Sequence, residues 1–381
     1  MEKYISGLSL HVLIFAGIFF LMFLIQLYFY LRFYRKAIFK KSTIYNKAEI
    51  LTEPVSIIIC ARNEASNLEK NLPLILEQDY PDFEVIVVND RSEDETNLVL
   101  NRFAIKYPRL HISEVRKDPI LTHGKKLALT LGIKAAGNEW LLLTDADCVP
   151  AGKNWLSRMQ CNFRKDKDIV LGYGGYKKRK GILNHLIRYE TVFTAMQYMG
   201  MAAAGKPYMG VGRNLAYRKT LFFTNRGFAS HSNIYSGDDD LFINETANSQ
   251  NVAVEMHPES FTWSEPEKTF TAWYNQKKRH LTTAPRYSLK TKFWLILENI
   301  SRILFLASFI YLLITYPYPE YILIIFAILF LIKGIVFKIV FTRLSESILF
   351  LTSPVIDLFI PLIYFYIHIR NLIESKRRRW N

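Results

Sequence analysis

The chain has 381 residues, enough for one large domain or two small ones, and a formal net charge of +15. Half of its residues are hydrophobic, and they gather in blocks near the two ends, which excludes a uniformly soluble globule and leaves ordinary soluble composition only in the middle. The basic residues flank those blocks: Arg32, Arg35, Lys36, Lys40 and Lys41 follow the first, Lys290 and Lys292 precede the next, and Lys376, Arg377, Arg378 and Arg379 follow the last. That placement marks cytoplasmic membrane flanks and argues against nucleic acid as the partner. Cys60, Cys148 and Cys161 form no CxxC pair, so neither a zinc site nor a disulfide framework is expected, and a reducing cytosol fits.

In chain order, the first element is the apolar run Val12 to Leu31, whose one notable polar side chain is Gln26. It is long enough to cross a bilayer, and too long and poorly flanked for a cleaved signal peptide. The basic residues behind it put the N-terminus outside and residue 35 onward in the cytosol. We assign 8–34 to this transmembrane helix.

Between residues 50 and 282 the pattern changes to that of a soluble domain. Val55 to Cys60 reads as a buried strand, and Asn67 to Leu76 spaces Leu68, Leu72, Leu74 and Ile75 as a helix. Phe83 to Val88 is a second strand, Asp94 to Tyr107 and Lys125 to Ala136 are helices, and Trp140 to Thr144 is another strand. Strands alternating with helices predict parallel βαβ units and an α/β fold. Ligands then bind beyond the carboxyl ends of the strands.

From 293 to 370 the apolar blocks return, as a membrane region of two or three spans. They are Phe293 to Tyr316, interrupted by Glu298 and Arg302; Tyr321 to Phe341, carrying Lys333 and Lys338; and Ile348 to Ile369, broken by Pro354, Asp357 and Pro361. The basic tail 371–381 belongs in the cytosol. Three C-terminal spans would put it outside, against the positive-inside rule. Either the Pro-broken block or the charged first half of 293–316 is therefore expected to be re-entrant or interfacial, unless the tail is an exception.

The strand ends carry the chemistry. Ala61-Arg62-Asn63-Glu64 follows the first strand and Asn89-Asp90-Arg91-Ser92 the second, side by side. Such groups can read a nucleobase and ribose. Asn63 and Ser92 also suit helix capping. Neither tip has GxGxxG, which disfavours a dinucleotide fold. His123-Gly124-Lys125-Lys126 opens a helix, where a lysine suits a phosphate; a solvated surface lysine is the plainer reading, more so for Lys126. Asp145-Ala146-Asp147 ends an apolar strand and can hold one divalent ion, whereas Asp166-Lys167-Asp168 reads as a solvated turn. Gly210 to Tyr217 permits close backbone approach, or is a simple turn. Ser236-Gly237-Asp238-Asp239-Asp240 crowds three acids, which raises carboxylate pKa and suits a general base, or forms a helix start with Ser236 as cap. Gln276-Lys277-Lys278-Arg279-His280 precedes the membrane blocks and could meet phosphates or lipid head groups.

In this order the motifs resemble the family 2 glycosyltransferases, over about residues 54–282, and in layout the membrane members of the ceramide glucosyltransferase and polysaccharide synthase type. The resemblance implies a GT-A fold, Rossmann-like with a mostly parallel sheet, and an inverting transfer from a nucleotide-sugar, expected to be a UDP-sugar, using Mg²⁺ or Mn²⁺. It implies that Arg62, Asn63, Glu64 and Asp90 bind the nucleoside and Lys125 lies near the diphosphate. Asp145 and Asp147 match the metal pair, with Asp145 also on the donor. Asp239 matches the catalytic base, with Asp238 as fallback, because the family pair is Glu-Asp and this run is three acids. Arg213, Asn214, Gln276 and Arg279 match the acceptor or diphosphate side. His280 stands where the family often has Trp, which weakens a reading as a polymer synthase. The implied partners are the bilayer and a lipid, lipid-linked or glycan acceptor, and the implied setting is a bacterial cytoplasmic membrane with the catalytic domain in the cytosol. The rival readings are a non-catalytic membrane scaffold that keeps the nucleotide-sugar fold, and a nucleotidyltransferase.

Overall fold

A computed structural model describes residues 9–36, 53–115, 124–234 and 236–378. The basic residues Lys40, Lys41, His123 and Arg379 lie outside the described residues, as do the limits drawn at 8 and 50. The chain enters through α1 (Leu10–Tyr28), an apolar helix that continues as a π-helical turn over Phe29–Tyr34. Next, β1 (Val55–Ala61), β2 (Phe83–Asn89), β3 (Leu110–Glu114) and β4 (Trp140–Asp145) alternate with α2 (Ala65–Leu76), α3 (Thr96–Lys106) and α4 (Gly124–Ala135). The four strands are parallel in the order β3-β2-β1-β4. The chain lays down β1, β2 and β3 outward, then crosses back to place β4 on the other side of β1. That reversal opens a crevice beyond the carboxyl ends of β1 and β4. Register decides what meets there: Cys60 lies opposite Asp145, and Ala61 opposite Asn89.

The inner strands are near-continuous apolar runs because both of their faces are covered. Ile57, Ile59, Val85 and Val87 pack with Leu68 and Leu72 of α2 and Leu100 of α3, whereas Ile58, Ile86 and Val88 pack with Ala128, Leu129 and Ile133 of α4. Gly132 is the point of closest approach. A Cβ there would stand 2.7 Å from Ile58 Cγ2 and 2.9 Å from Val88 Cγ2. Gly132→Ala is therefore expected to cost about 1–3 kcal/mol by overpacking, read as a lower thermal unfolding midpoint in detergent; an unchanged midpoint would show that α4 can lift off the sheet freely.

The second half adds β5 (Val149–Pro150), α5 (Trp155–Gln160), β6 (Ile169–Leu171), β7 (Gly174–Tyr176), α6 (Ile182–Ala203), β8 (Leu215–Arg218), α7 (Lys219–Thr224), α8 (Asp240–Thr246), β9 (Val252–Val254), β10 (Thr262–Ser264) and α9 (Phe270–His280). β8 runs antiparallel to β4, and β6 and β9 complete a mostly parallel sheet in the order β3-β2-β1-β4-β8-β6-β9. A small sheet, β5-β10-β7, stands beside it.

Three long helices end the chain: α10 (Leu289–Thr315), α11 (Pro319–Arg343) and α12 (Ser353–Arg378). Among the described residues, three helices are long and apolar enough to cross a membrane, namely Leu10–Tyr34, Leu289–Thr315 and Pro319–Arg343. The apolar block from Ile348 is not one helix. It starts as a 3₁₀ turn over Ser347–Phe350, and α12 follows with a shorter apolar stretch, Ser353–Ile367, and Pro361 inside it. α10 packs along α1, while α12 packs against α6 and α9 of the sheet-bearing half. The polar residues that break the apolar blocks meet one another. Arg302 and Lys333 both pair with Asp357, Arg302 also lies 3.7 Å from Glu298, and Gln26 donates to Ser301 Oγ at 2.6 Å. Glu298, Arg302, Lys333 and Asp357 persist among apolar helices because each has such a partner.

Candidate functional site

Two residues without the excuse of glycine adopt left-handed backbone at the tips of β1 and β2: Asn63 (φ 56) and Arg91 (φ 55). Each costs roughly 1–2 kcal/mol. Cross-strand bonds hold them. The Asn63 N–H donates to Ser92 Oγ at 3.0 Å, the Glu93 N–H to Asn63 Oδ1 at 2.8 Å, and the Glu64 N–H to Thr96 Oγ1 at 2.9 Å. Asn63 and Ser92 are thus not the helix caps that their residue types suggest; they tie the two tips into one rim. On it, Arg62 and Asn63 are exposed and Glu64 is half-buried. Asp90 is buried and accepts from Arg91 Nε at 2.9 Å.

At the end of β4, the ligating atoms of Asp145, Asp147 and Cys148 lie within 4.8 Å of one another. Burial pushes the Asp147 carboxyl up to about 6, with Asp145 adding to it. Among the described residues Asp147 has no cationic side chain at ion-pair distance, so added positive charge would satisfy it. Burial lifts the Cys148 thiol to about 12, and its sulfur lies 3.0 Å from Ser264 Oγ. Two carboxylates beside a protonated thiol suit a hard divalent cation such as Mg²⁺ or Mn²⁺ rather than a thiolate-bound metal.

Lys125 joins this end to the acidic run: its Nζ lies 2.7 Å from Asp145 Oδ1 and 3.5 Å from Asp238 Oδ2. Lys126, which reads from sequence as the solvated one of the pair, is instead buried, and donates to the carbonyls of His231 (2.7 Å) and Ile234 (2.9 Å). Helical spacing turns the two neighbours to different sides of α4.

The three acids have three surroundings. Asp238 faces Lys125. Asp240 is buried and its carboxylate accepts from the Tyr287 hydroxyl (2.7 Å), the Thr283 hydroxyl and the Leu241 N–H (2.8 Å). Asp239 caps α8 through the Asp240 N–H (2.7 Å), a role that sequence offered to Ser236, and its other oxygen accepts from the Gly212 N–H at 2.8 Å. Burial, then the charges of Asp238 and Asp240, raise Asp239 to about 7, against the opposing pull of Lys125 and the Gly212 N–H.

The loop before β8 divides its two polar residues. Asn214 is fully buried; its Nδ2 donates to the carbonyls of Tyr173 (2.9 Å) and Ser260 (2.7 Å), and Trp155 Nε1 donates to its Oδ1 at 3.1 Å. Gly172 makes the room, since a Cβ there would stand 2.5 Å from Asn214 Nδ2. The side chain of Asn214, expected on the acceptor side, therefore anchors the loop and does not reach the cleft. The Arg213 carbonyl is held by the hydroxyls of Thr144 and Thr262, each at 3.0 Å, and its guanidinium lies over the Tyr176 ring at 4.3 Å. Gln276 Nε2 is 3.4 Å from the same Tyr176 hydroxyl. Burial pushes the Asp145 carboxyl up, but Lys125, then Arg213 and Arg279, outweigh it and hold Asp145 below its ordinary value. All three positive charges favour the carboxylate form of Asp145, and Lys125 touches it.

Residues 56–223 match Glycosyl transferase family 2, and residues 140–367, more than half of the chain, match Glycosyl transferase family group 2. The chain belongs to the family 2 glycosyltransferases. This glycosyltransferase is 26% identical over 232 residues to the probable glycosyltransferase YdaM of Bacillus subtilis, covering 59% of this chain and 54% of that one. It is 28% identical over 120 residues to the poly-beta-1,6-N-acetyl-D-glucosamine synthase of Staphylococcus epidermidis, covering 32% and 28%. The chain thus spans about half, or less, of the length of these curated relatives. Among solved structures, the mannosyltransferase PcManGT from Pyrobaculum calidifontis, in complex with GDP-Man and Mn²⁺, superposes with a TM-score of 0.57 at 20% identity, over 91% of this chain and 98% of that one. That likeness establishes the GT-A-type α/β fold.

Sequence reasoning about this glycosyltransferase missed Tyr176, which joins Arg213 to Gln276, and Thr144 and Thr262, which aim Arg213. No short-range signal marks them, because their partners come from distant parts of the chain. Cys148 was readable beside the acids, since it directly follows Asp147.

Proposed function

We propose that this glycosyltransferase is a multi-pass membrane enzyme that moves a sugar, with inversion, from a nucleoside-diphosphate sugar to a membrane lipid, lipid-linked or glycan acceptor. One observation carries the reading: Lys125 lies between Asp145 and Asp238, so the acid pair at the end of β4 and the acidic run before α8 share one cleft. Leaving-group and acceptor chemistry then work side by side. The rim of Arg62, Asn63, Glu64 and Asp90 faces the nucleoside. Asp145 and Asp147 would hold the divalent cation, which supplies positive charge for the departing diphosphate. Lys125, Arg213 and Arg279 add charge at the same end, where stabilisation of developing negative charge is a large share of catalysis. Asp239, which among the described residues is the one acid of the three without a committed side-chain partner, takes the proton from the acceptor hydroxyl as that oxygen attacks the anomeric carbon. Asp238, paired with Lys125, is the less suited base. The Mn²⁺ and GDP-Man carried by the Pyrobaculum neighbour are consistent with this donor and metal class.

In the membrane, we assign the spans to Leu10–Tyr34, Leu289–Thr315 and Pro319–Arg343. With the N-terminus outside, three crossings leave residues 50–282 and the basic tail on the cytosolic side, in accord with the positive-inside rule. α12, packed on α6 and α9, then lies at the cytosolic interface, and the acceptor reaches the cleft from the bilayer. The test is product analysis. Purified protein with Mn²⁺, a panel of nucleotide-sugars and native lipid extract should release a nucleoside diphosphate and label a lipid. Pyrophosphate would point to nucleotidyl transfer. Donor binding with no turnover of any donor would point to a scaffold.

A further inference from the structure

Lys277 stands in the middle of the basic run before the membrane helices, yet it is 6% exposed. Its ammonium turns inward to α6 and pairs with the Glu190 carboxylate, which is also buried. The other Glu190 oxygen accepts a hydrogen bond from the Tyr364 hydroxyl of α12. One turn earlier on the same side of α9, Trp273 is buried with Tyr176 and Ile187, and Ile363 of α12 packs on that cluster. α9 is thus pinned at two points four residues apart, and α12 braces both. Between the two pins, Gln276 reaches the hydroxyl of Tyr176, over whose ring the Arg213 guanidinium lies, and Arg279 follows in the last turn of the helix. A buried lysine cannot leave its carboxylate cheaply, so the pair fixes the rotation and height of the helix.

We propose that Glu190 is a positioning residue for sugar transfer: through Lys277 it sets the reach of Gln276 and Arg279 into the cleft, and through Tyr364 it makes that reach depend on the seating of α12. The inference rests on the assignment of Arg279 to the diphosphate end under the proposed function. It ties activity to a membrane-side helix by a chain of three side chains, of which Glu190 and Tyr364 belong to no recognisable motif.

The test uses the full-length protein in detergent, titrated calorimetrically with UDP and GDP in the presence of Mn²⁺, and with uridine and guanosine. Arg279→Ala should weaken the better-bound diphosphate about tenfold and leave its nucleoside unchanged. Glu190→Gln should give the same diphosphate-specific loss. The Glu190→Gln/Arg279→Ala double variant should lose less than the sum of the two single losses, because the Arg279 contact is shared and only the Gln276 part is left to add. Tyr364→Phe, which removes a single hydroxyl, should lose about threefold. Should Glu190→Gln fail to fold, the Glu190→Gln/Lys277→Gln pair removes both buried charges and carries the same expectation. Full diphosphate affinity in the folded Glu190 variants, beside a loss in Arg279→Ala, overturns the positioning role; so does an equal loss for nucleoside and diphosphate. No loss in Arg279→Ala overturns the reading of the site itself.

Discussion

Asp239→Asn is expected to cut sugar transfer by about 10²–10⁴-fold, the usual contribution of a positioned general base, while donor affinity stays within a few-fold. Asparagine keeps a carbonyl oxygen for the Gly212 or Asp240 N–H, so the local bonds survive in part, but it cannot take a proton. The pH behaviour follows from the pKa of about 7, set by burial and by Asp238 and Asp240. Wild-type turnover should rise with pH and be half-maximal near 7, because only the carboxylate form acts. Stability has the opposite sign. Folding raises the Asp239 pKa, so the protonated form is favoured in the folded state. That contribution is complete below the ordinary carboxylate value and is lost as pH rises through about 7. Asp239→Asn should therefore unfold at a higher temperature than wild type at pH 8, with the gap narrowing markedly by pH 5. The measurements are turnover from pH 5.5 to 8.5 and thermal scans at both ends. Unchanged turnover in the variant would move the base to Asp238 or remove it from this run.

Asp147→Asn and removal of divalent metal are each expected to reduce turnover by about 10²–10³-fold, the scale of losing one strong electrostatic stabiliser of the departing group. Chelated wild-type enzyme should recover on adding Mn²⁺ or Mg²⁺, and Asp147→Asn should recover little at any metal concentration. Asp147 is the sharper probe of the pair. Asp145 already has Lys125 at 2.7 Å, so its replacement frees a lysine as well as removing a ligand. Among the described residues Asp147 has no such partner, and burial beside Asp145 leaves it poised to accept a cation. Full activity in chelator, with donor turnover intact, would mean that Lys125, Arg213 and Arg279 carry the diphosphate charge unaided.

The local, short-range features of this protein were legible in its sequence. The runs Val55 to Cys60, Phe83 to Val88 and Trp140 to Thr144 read as strands, and each observed strand lies within a residue of those limits. The helix at 125–136 and the acid pair at 145 and 147 follow from the same periodicity, since strand–helix alternation places the residue after each parallel strand at one edge of the sheet. The apolar runs announced the long helices because hydrophobic length needs no partner to be read. Tertiary structure decided the rest. Whether Lys125 or Lys126 faces the cleft depended on which side of α4 meets the sheet. Whether Asn214 reached a ligand depended on Gly172, Tyr173, Ser260 and Trp155 closing around it. Which of Asp238, Asp239 and Asp240 stays uncommitted depended on Tyr287, Thr283 and Lys125 arriving from elsewhere. Charges such as Glu298, Arg302, Lys333 and Asp357 looked like interruptions of apolar segments until packing brought them together. In every case the deciding contact joins residues far apart in the chain, so burial and pairing, which set a polar group's role, had no local pattern to announce them.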